Sequence, residues 1–254
     1  KISKILAQKD MLTQENLTEQ ETDDEFSDDF IRALFASCIN NQNKSACQDI
    51  IKKGVPSIKQ CQHTAARGLN DCIYIGLIYR LAEEYEKAIK YYKRAIFLGH
   101  NEGYAHLGYT YGALNDYVNA KKYYEIGCNK TNNLQSASCF NLGVMYTKGE
   151  GVAQNHHKEA ELYKKSCDMK EARACNSLGV LYEKGLGVAQ DYKEANVLYK
   201  KACDFNDEVG CINLGYNYYH GIGVNKSKFI GMQLLRKACE LGNQKSCDFY
   251  NQNK

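Results

Sequence analysis

Cysteine spacing constrains this chain more than any other feature. Cys167, Cys203 and Cys239 stand 36 residues apart, and so do Cys139, Cys175, Cys211 and Cys247. Read across, Cys167/Cys175, Cys203/Cys211 and Cys239/Cys247 are each eight apart. Three looser pairs lie upstream, Cys38/Cys47, Cys61/Cys72 and Cys128/Cys139, so none of the 12 cysteines is left over. A fixed period of this length marks a repeat architecture, in which each unit buries its apolar face only against its neighbours.

The units align on a Leu-Gly step: Ile75-Gly76, Leu107-Gly108, Leu142-Gly143, Leu178-Gly179 and Leu214-Gly215. Three residues after each glycine stands a tyrosine, Tyr79, Tyr111, Tyr146, Tyr182 and Tyr218. A leucine and a tyrosine four apart share one helical face, and the glycine between them lets a neighbouring helix approach. This is the first helix of each unit. A second follows. Ala88, Ile89, Tyr92, Ala95 and Ile96 form its apolar stripe over 86–97, and Ala195, Leu198, Tyr199, Ala202 and Cys203 the matching stripe over 192–203. Both have amphipathic-helix spacing. With one proline and 44% apolar residues in 254, helix pairs throughout are the consistent reading.

Three linkers inside the pairs carry Gly-x-Gly-Val: Gly149 to Val152, Gly185 to Val188 and Gly221 to Val224. A phosphate loop needs a preceding strand and a following Lys-Ser/Thr, and neither is present. The spacing predicts a turn with positive φ at glycine and a valine returned to the core. The pairs around Gly76 and Gly108 have short, tight linkers instead.

An even number of regularly spaced cysteines reads as disulfides made in an oxidising compartment. Zinc is the rival. Structural zinc sites favour two to four residues between ligands, whereas the gap here is seven or more. No Cys-x-x-Cys occurs, which weighs against a redox catalyst. Free thiols are the third reading. Each first cysteine ends a second helix and each second cysteine opens the next first helix, so a pair straddles a short turn. Bonding within each pair is the simplest connectivity, and it brings the Cα atoms to the roughly 5–6 Å that a disulfide needs. One junction lacks the pair: Ile96 and Tyr104 stand at the equivalent positions.

Leu-Gly-x-x-Tyr, then Lys-Gly-x-Gly-Val, then Tyr-Lys-Lys-Ala resembles the Sel-one-like repeat (SLR). The two units without the glycine linker are similar to tetratricopeptide (TPR) units. With Cys-x7-Cys at the junctions, the chain most resembles the Helicobacter cysteine-rich proteins, a secreted bacterial SLR family. The resemblance covers about 58–250 and is most specific over 139–247. It is read as departing in the unit opening at Cys139, where the linker is taken to gain a residue, so that Glu159 or Ala160 could occupy the small-residue position. The expected fold is all-α: a right-handed α/α solenoid of SLR/TPR-like helix pairs, disulfide-stapled at repeat junctions.

The expected organisation is an acidic tail or loosely attached helix at 1–29, a helical cap at 30–57, repeats over 58–245 and a capping helix with tail at 246–254. Residues 10–29 hold nine acidic residues and no basic one. The chain begins at Lys1 without an apolar leader and is read as starting after any export signal. A net charge of +3 suggests no nucleic-acid groove, and no apolar run approaches the roughly 20 residues of a membrane span.

Chemistry is sparse. Ser-x-x-Lys, Gly-x-Ser-x-Gly, His-Glu-x-x-His and Gly-x-Gly-x-x-Gly are all absent. His156 and His157 read as loop residues in solvent, and the Glu83-Glu84 pair as an exposed helix turn. No catalytic residue, metal or cofactor is assigned. By resemblance to TPR units, Tyr109, Tyr216 and Tyr219 line a concave face with Asn70, Arg80, Glu102, Asn176 and Glu183. Tyrosine suits such a face, offering apolar area with a polar tip.

The expectation is a monomeric, non-enzymatic, exported scaffold, periplasmic or secreted. It binds a protein or extended peptide in that groove, with a cell-envelope or host-interaction role implied by the resemblance. The alternative also comes from the resemblance alone: a β-lactam- or penicillin-binding protein or weak β-lactamase acting on peptidoglycan-like fragments.

Overall fold

The computed structural model describes residues 36–55, 61 and 71–253. The expected acidic tail, the start of the cap at Phe30 and the groove candidate Asn70 lie outside them. The helices are α1 (Lys44–Lys53), α2 (Cys72–Leu81), α3 (Tyr85–Phe97), α4 (Glu102–Ala113), α5 (Tyr117–Cys128), α6 (Gln135–Lys148), α7 (His156–Asp168), α8 (Ala172–Lys184), α9 (Tyr192–Asp204), α10 (Glu208–His220), α11 (Lys228–Glu240) and α12 (Gln244–Gln252). Residues 36–40 are helical as well. The chain divides into two compact units, Lys1–Tyr123 and Tyr124–Lys254, with the division inside α5.

Local sequence sets the helix ends. Side chains of Asn43, Asp71, Asn155, Asp191, Asp207, Ser227 and Asn243 accept backbone N–H groups in the first turns of α1, α2, α7, α9, α10, α11 and α12. Such caps satisfy donors that the helix itself leaves open. Gly149, Gly185 and Gly221 end α6, α8 and α10 in the left-handed conformation, at φ of 76°, 68° and 83°. The second linker glycine is needed for another reason. A Cβ on Gly187 would fall 2.1 Å from the His156 carbonyl oxygen, and one on Gly223 2.6 Å from Tyr192 Cβ, so these two linkers press on the start of the preceding pair's second helix. Val152, Val188 and Val224 are half-buried behind these turns. The tight linkers place Glu83 and Asn115 at φ of 66° and 59°.

The glycine of each first helix has a more specific task than admitting a helix. A Cβ on Gly76 would lie 2.6 Å from the Tyr92 ring, on Gly143 2.6 Å from Tyr163, and on Gly179 2.7 Å from Tyr199. The second-helix tyrosine therefore lies flat on the glycine of its own partner helix. In α10/α11 the ring is replaced by Leu235, and Gly215 packs against the backbone of Gly231.

The stripe of α3 also differs from the sequence reading. Tyr91 is buried beside Tyr92 and stacks on Tyr79 at 5.3 Å, while Ile89 and Ile96 are half-buried. In the first unit, Cys38, Ala46, Cys47 and Ile50 pack with Ile78 and Ala82, seating α1 on α2. In the second, buried residues of α7, α8 and α9 form one cluster.

Candidate functional site

Counting from the helix glycine puts the predicted groove residues in shared rows. Tyr109 and Tyr216 follow the glycine by one residue, whereas Arg80, Glu183 and Tyr219 follow it by four. Asn176 precedes its glycine by three and Glu102 by six. Spacings of three, four and seven return to one helical face. The first unit holds Arg80 on α2 and Glu102 and Tyr109 on α4. The second holds Asn176 and Glu183 on α8 and Tyr216 and Tyr219 on α10.

Their surroundings differ. Tyr216 is 55% exposed, its ring 4.3 Å from that of His220. Tyr219 is half-buried, edge-on to Phe249 of α12, with Lys228 Nζ 5.4 Å from its centroid. Asn176 Oδ1 accepts from Asn213 Nδ2 of the next first helix at 2.9 Å. Glu183 turns to its own pair, where the Tyr199 hydroxyl donates to Oε2 at 2.7 Å. Burial raises the Tyr199 pKa, and this bond raises it further. Glu102 stands at the start of α4, 3.8 Å from His100 Nδ1. The open depression at the last linker, lined by Lys193, Tyr218, Val224, Lys226 and Ile230 among others, takes none of these residues.

The row four residues after the glycine meets the second-helix tyrosine, which the sequence reading missed. Thr147 in α6 occupies that position and lies 3.0 Å from the Tyr163 hydroxyl. Thr147 also donates to Glu159 Oε1 at 2.7 Å, and Glu159 Oε2 lies 2.7 Å from His156 Nδ1. Glu159 is only 3% exposed. It stands four before the tyrosine, where other pairs carry Ala88, Ala120, Ala195 and Gly231, so the small-residue position is filled by Glu159 and not by Ala160. His156 and His157 are not loop residues: they open α7, as Tyr192 opens α9 and Lys228 opens α11, each seven residues after its linker glycine, so the linker of this unit has not gained a residue. A second buried network ties neighbouring pairs. Asn217 Nδ2 donates to Asn196 Oδ1, and Asn196 Nδ2 donates to the carbonyls of Tyr192 and Ile222, each at 2.8–2.9 Å.

The Sel1 repeat profile matches residues 68–100, 101–132, 136–170, 172–204 and 209–243. The chain belongs to the Sel1 repeat family. Sel1 repeats stack as helix pairs of the all-α solenoid class, as found here. A Sel1 repeat protein from Oxalobacter formigenes is similar at 24% identity and a TM-score of 0.63, over 71% of this chain and 74% of that one. The c5321 protective antigen of uropathogenic Escherichia coli, with an SLR fold, is similar at 23% identity and a TM-score of 0.62. That match covers 85% of this chain and 46% of the antigen. Helicobacter pylori cysteine rich protein B is 31% identical over 53% of this chain and 94% of its own, with a TM-score of 0.42. No curated protein sequence matches.

Six disulfides staple the Sel1 array: Cys38–Cys47, Cys61–Cys72, Cys128–Cys139, Cys167–Cys175, Cys203–Cys211 and Cys239–Cys247. Their Cα separations run from 4.5 Å at Cys203–Cys211 to 5.1 Å at Cys61–Cys72. The last bridge is half-buried, and the others are buried. Lys237 Nζ donates to the Cys203 carbonyl at 2.8 Å, tying one second helix to the preceding junction. Thiols paired in this way form in an oxidising compartment. Among the described residues no helix is long and apolar enough to cross a membrane, and no group of three metal-binding side chains occurs.

Proposed function

We propose that this Sel1 repeat protein is an exported scaffold, periplasmic or secreted, that binds an extended peptide or protein segment along its first helices. It acts as a monomer in the cell envelope or in contact with a host. One observation carries the reading: aromatic and polar side chains recur in register on the first helices, and the most open of them, Tyr216, leaves over half its surface to solvent beside His220. A rigid aromatic with a polar tip is well suited to hold a partner at low entropy cost. The six bridges support the reading by stiffening the scaffold before binding, which lowers the ordering cost. No observation favours the β-lactam alternative, and it is set aside.

The test is capture from native envelope by the oxidised protein, beside a Tyr109→Ala/Tyr216→Ala variant of matched thermal stability. Loss of specific capture by the variant supports the reading; unchanged capture overturns it.

A further inference from the structure

The bridges are not equally protected. Both cysteines of Cys239–Cys247 are half-buried, whereas the other ten are buried. The place of this bridge in the fold accounts for the difference. Cys128–Cys139, Cys167–Cys175 and Cys203–Cys211 each lead into a complete helix pair, α6/α7, α8/α9 and α10/α11. Cys239–Cys247 leads into α12, a helix of nine residues with no second helix of its own among the described residues. Asn251 stands four residues after Cys247, where α6, α8 and α10 carry the glycine that receives Tyr163, Tyr199 or Leu235. Little else holds α12. Ser246 is its one buried residue, and its amide and hydroxyl both donate to Asn243 Oδ1 at 3.0 Å, inside the helix's own cap. Phe249 is 39% exposed and meets Tyr219 of α10 edge-on, with ring centroids 6.0 Å apart.

A short end helix with little buried surface opens locally at low cost in free energy. A bridge that a thiolate can reach is reduced before those shielded by packing. We infer that Cys239–Cys247 is a redox switch, opened by a dithiol reductant ahead of the other five bridges, and that its opening releases α12. One thiolate of the dithiol attacks a sulfur of the bridge and displaces the other cysteine as a thiolate. The second thiol of the reductant, deprotonated, then attacks the mixed disulfide and frees the first cysteine. The bridge gains two electrons, the reductant leaves as its own disulfide, and its two protons pass through solvent to Cys239 and Cys247. Release of α12 withdraws Phe249 from Tyr219, while Cys203–Cys211 still ties α10 to α9 and Gly215 still packs on Gly231. Reduction therefore uncovers Tyr219 without unfolding the array. The switch stands on burial and on the packing of α12, independently of what the first helices bind.

The test is stepwise reduction of the full oxidised chain by dithiothreitol under native conditions, with iodoacetamide trapping and peptide mapping by mass spectrometry. Cys239 and Cys247 are expected to be alkylated about tenfold or more faster than any other pair. Once that bridge alone is open, the amides of α12 should lose their protection against deuterium exchange while those of α8 and α9 keep theirs. Reoxidation should restore the protection. Phe249→Ala loosens the seat of α12, so it should speed reduction of this bridge several-fold and leave the other five rates where they are. A Cys239→Ser/Cys247→Ser variant should show the freed α12 with no reductant present. The switch is overturned if another pair yields first, if all pairs yield together, or if α12 stays protected after its bridge has opened. A reduction rate that Phe249→Ala does not change also overturns it.

Discussion

The segment α2–α4 and the segment α8–α10 are built on one frame and finished differently. In both, a tyrosine lies on the glycine of the first helix, within 2.6–2.7 Å of where a Cβ would stand. In α8–α10 the hydroxyl is bonded to Glu183 and the next junction is closed by Cys203–Cys211. In α2–α4 the fully buried hydroxyl stands opposite the cation Arg80 instead of a carboxylate, and the junction carries Ile96 and Tyr104 in place of a bridge. The frame fixes where groups meet, and the side chains at two positions decide what the buried hydroxyl meets and whether the junction is bridged.

The largest break in this comparison is the bridge. Replacing Cys203 and Cys211 together by alanine removes an eight-residue closure, expected to cost about 2–3 kcal/mol in denaturant unfolding on the chain-entropy account. In the oxidised protein, amides around 97–103 exchange faster with solvent deuterium than those around 204–210. Full reduction should erase that contrast, and an equal rate before reduction would refute it.

Acid sharpens the same comparison. His106 has a folded pKa of about 4 against about 6.5 when unfolded, so the unfolded chain binds the proton first. Its contribution to stability is complete above pH 6.5 and is lost as the pH falls toward 4, with a slope of up to about 1.4 kcal/mol per unit. The equivalent residue in α8–α10 is Asn213, which does not titrate. His106→Gln should flatten the acid limb of a melting-temperature profile, and an unchanged limb would refute the assignment.

Smaller effects separate the two hydroxyls. Tyr199→Phe is expected to cost about 1 kcal/mol, because it deletes a hydrogen bond to a half-exposed carboxylate. Tyr92→Phe should cost less, because the Tyr92 hydroxyl has Arg80 and no carboxylate opposite it. Equal losses would refute that difference. The least effect lies at a junction turn. Lys170 holds φ of 66° where Gly99 and Gly242 stand at the matching positions. Lys170→Gly relieves that strain, partly offset by unfolded-chain entropy, for a net gain of about 0.5 kcal/mol in thermal unfolding.

The sequence carried the frame because period, glycine and apolar spacing are local and repeated. The linker glycines at positive φ and the half-buried Val188 could be read from Gly-x-Gly-Val alone. What stayed hidden depends on pairs of residues distant along the chain. Nothing near Tyr92 says that it will meet Arg80 and His106, since that needs the depth of a ring on Gly76 and the position of the next helix. Glu159 was ambiguous with Ala160 until the ring of Tyr163 fixed which residue sits four before it. Sequence placed His156 in a loop, although α7 opens seven residues after Gly149 just as α9 opens seven after Gly185, a count that the register of the repeat already contained.

Glu159 has a consequence for exchange of parts. The matches over 136–170 and 172–204 look like interchangeable cassettes. Grafting α7 onto α8 would set Glu159 and Glu183 around one tyrosine hydroxyl, two carboxylates where the native pairs each have one. Thr147 is the complement that lets α7 keep its buried acid, and Ala195 is the complement that lets α8 keep Glu183. Each helix thereby recognises its own mate, and the order of the units is written into their interiors as well as along the chain.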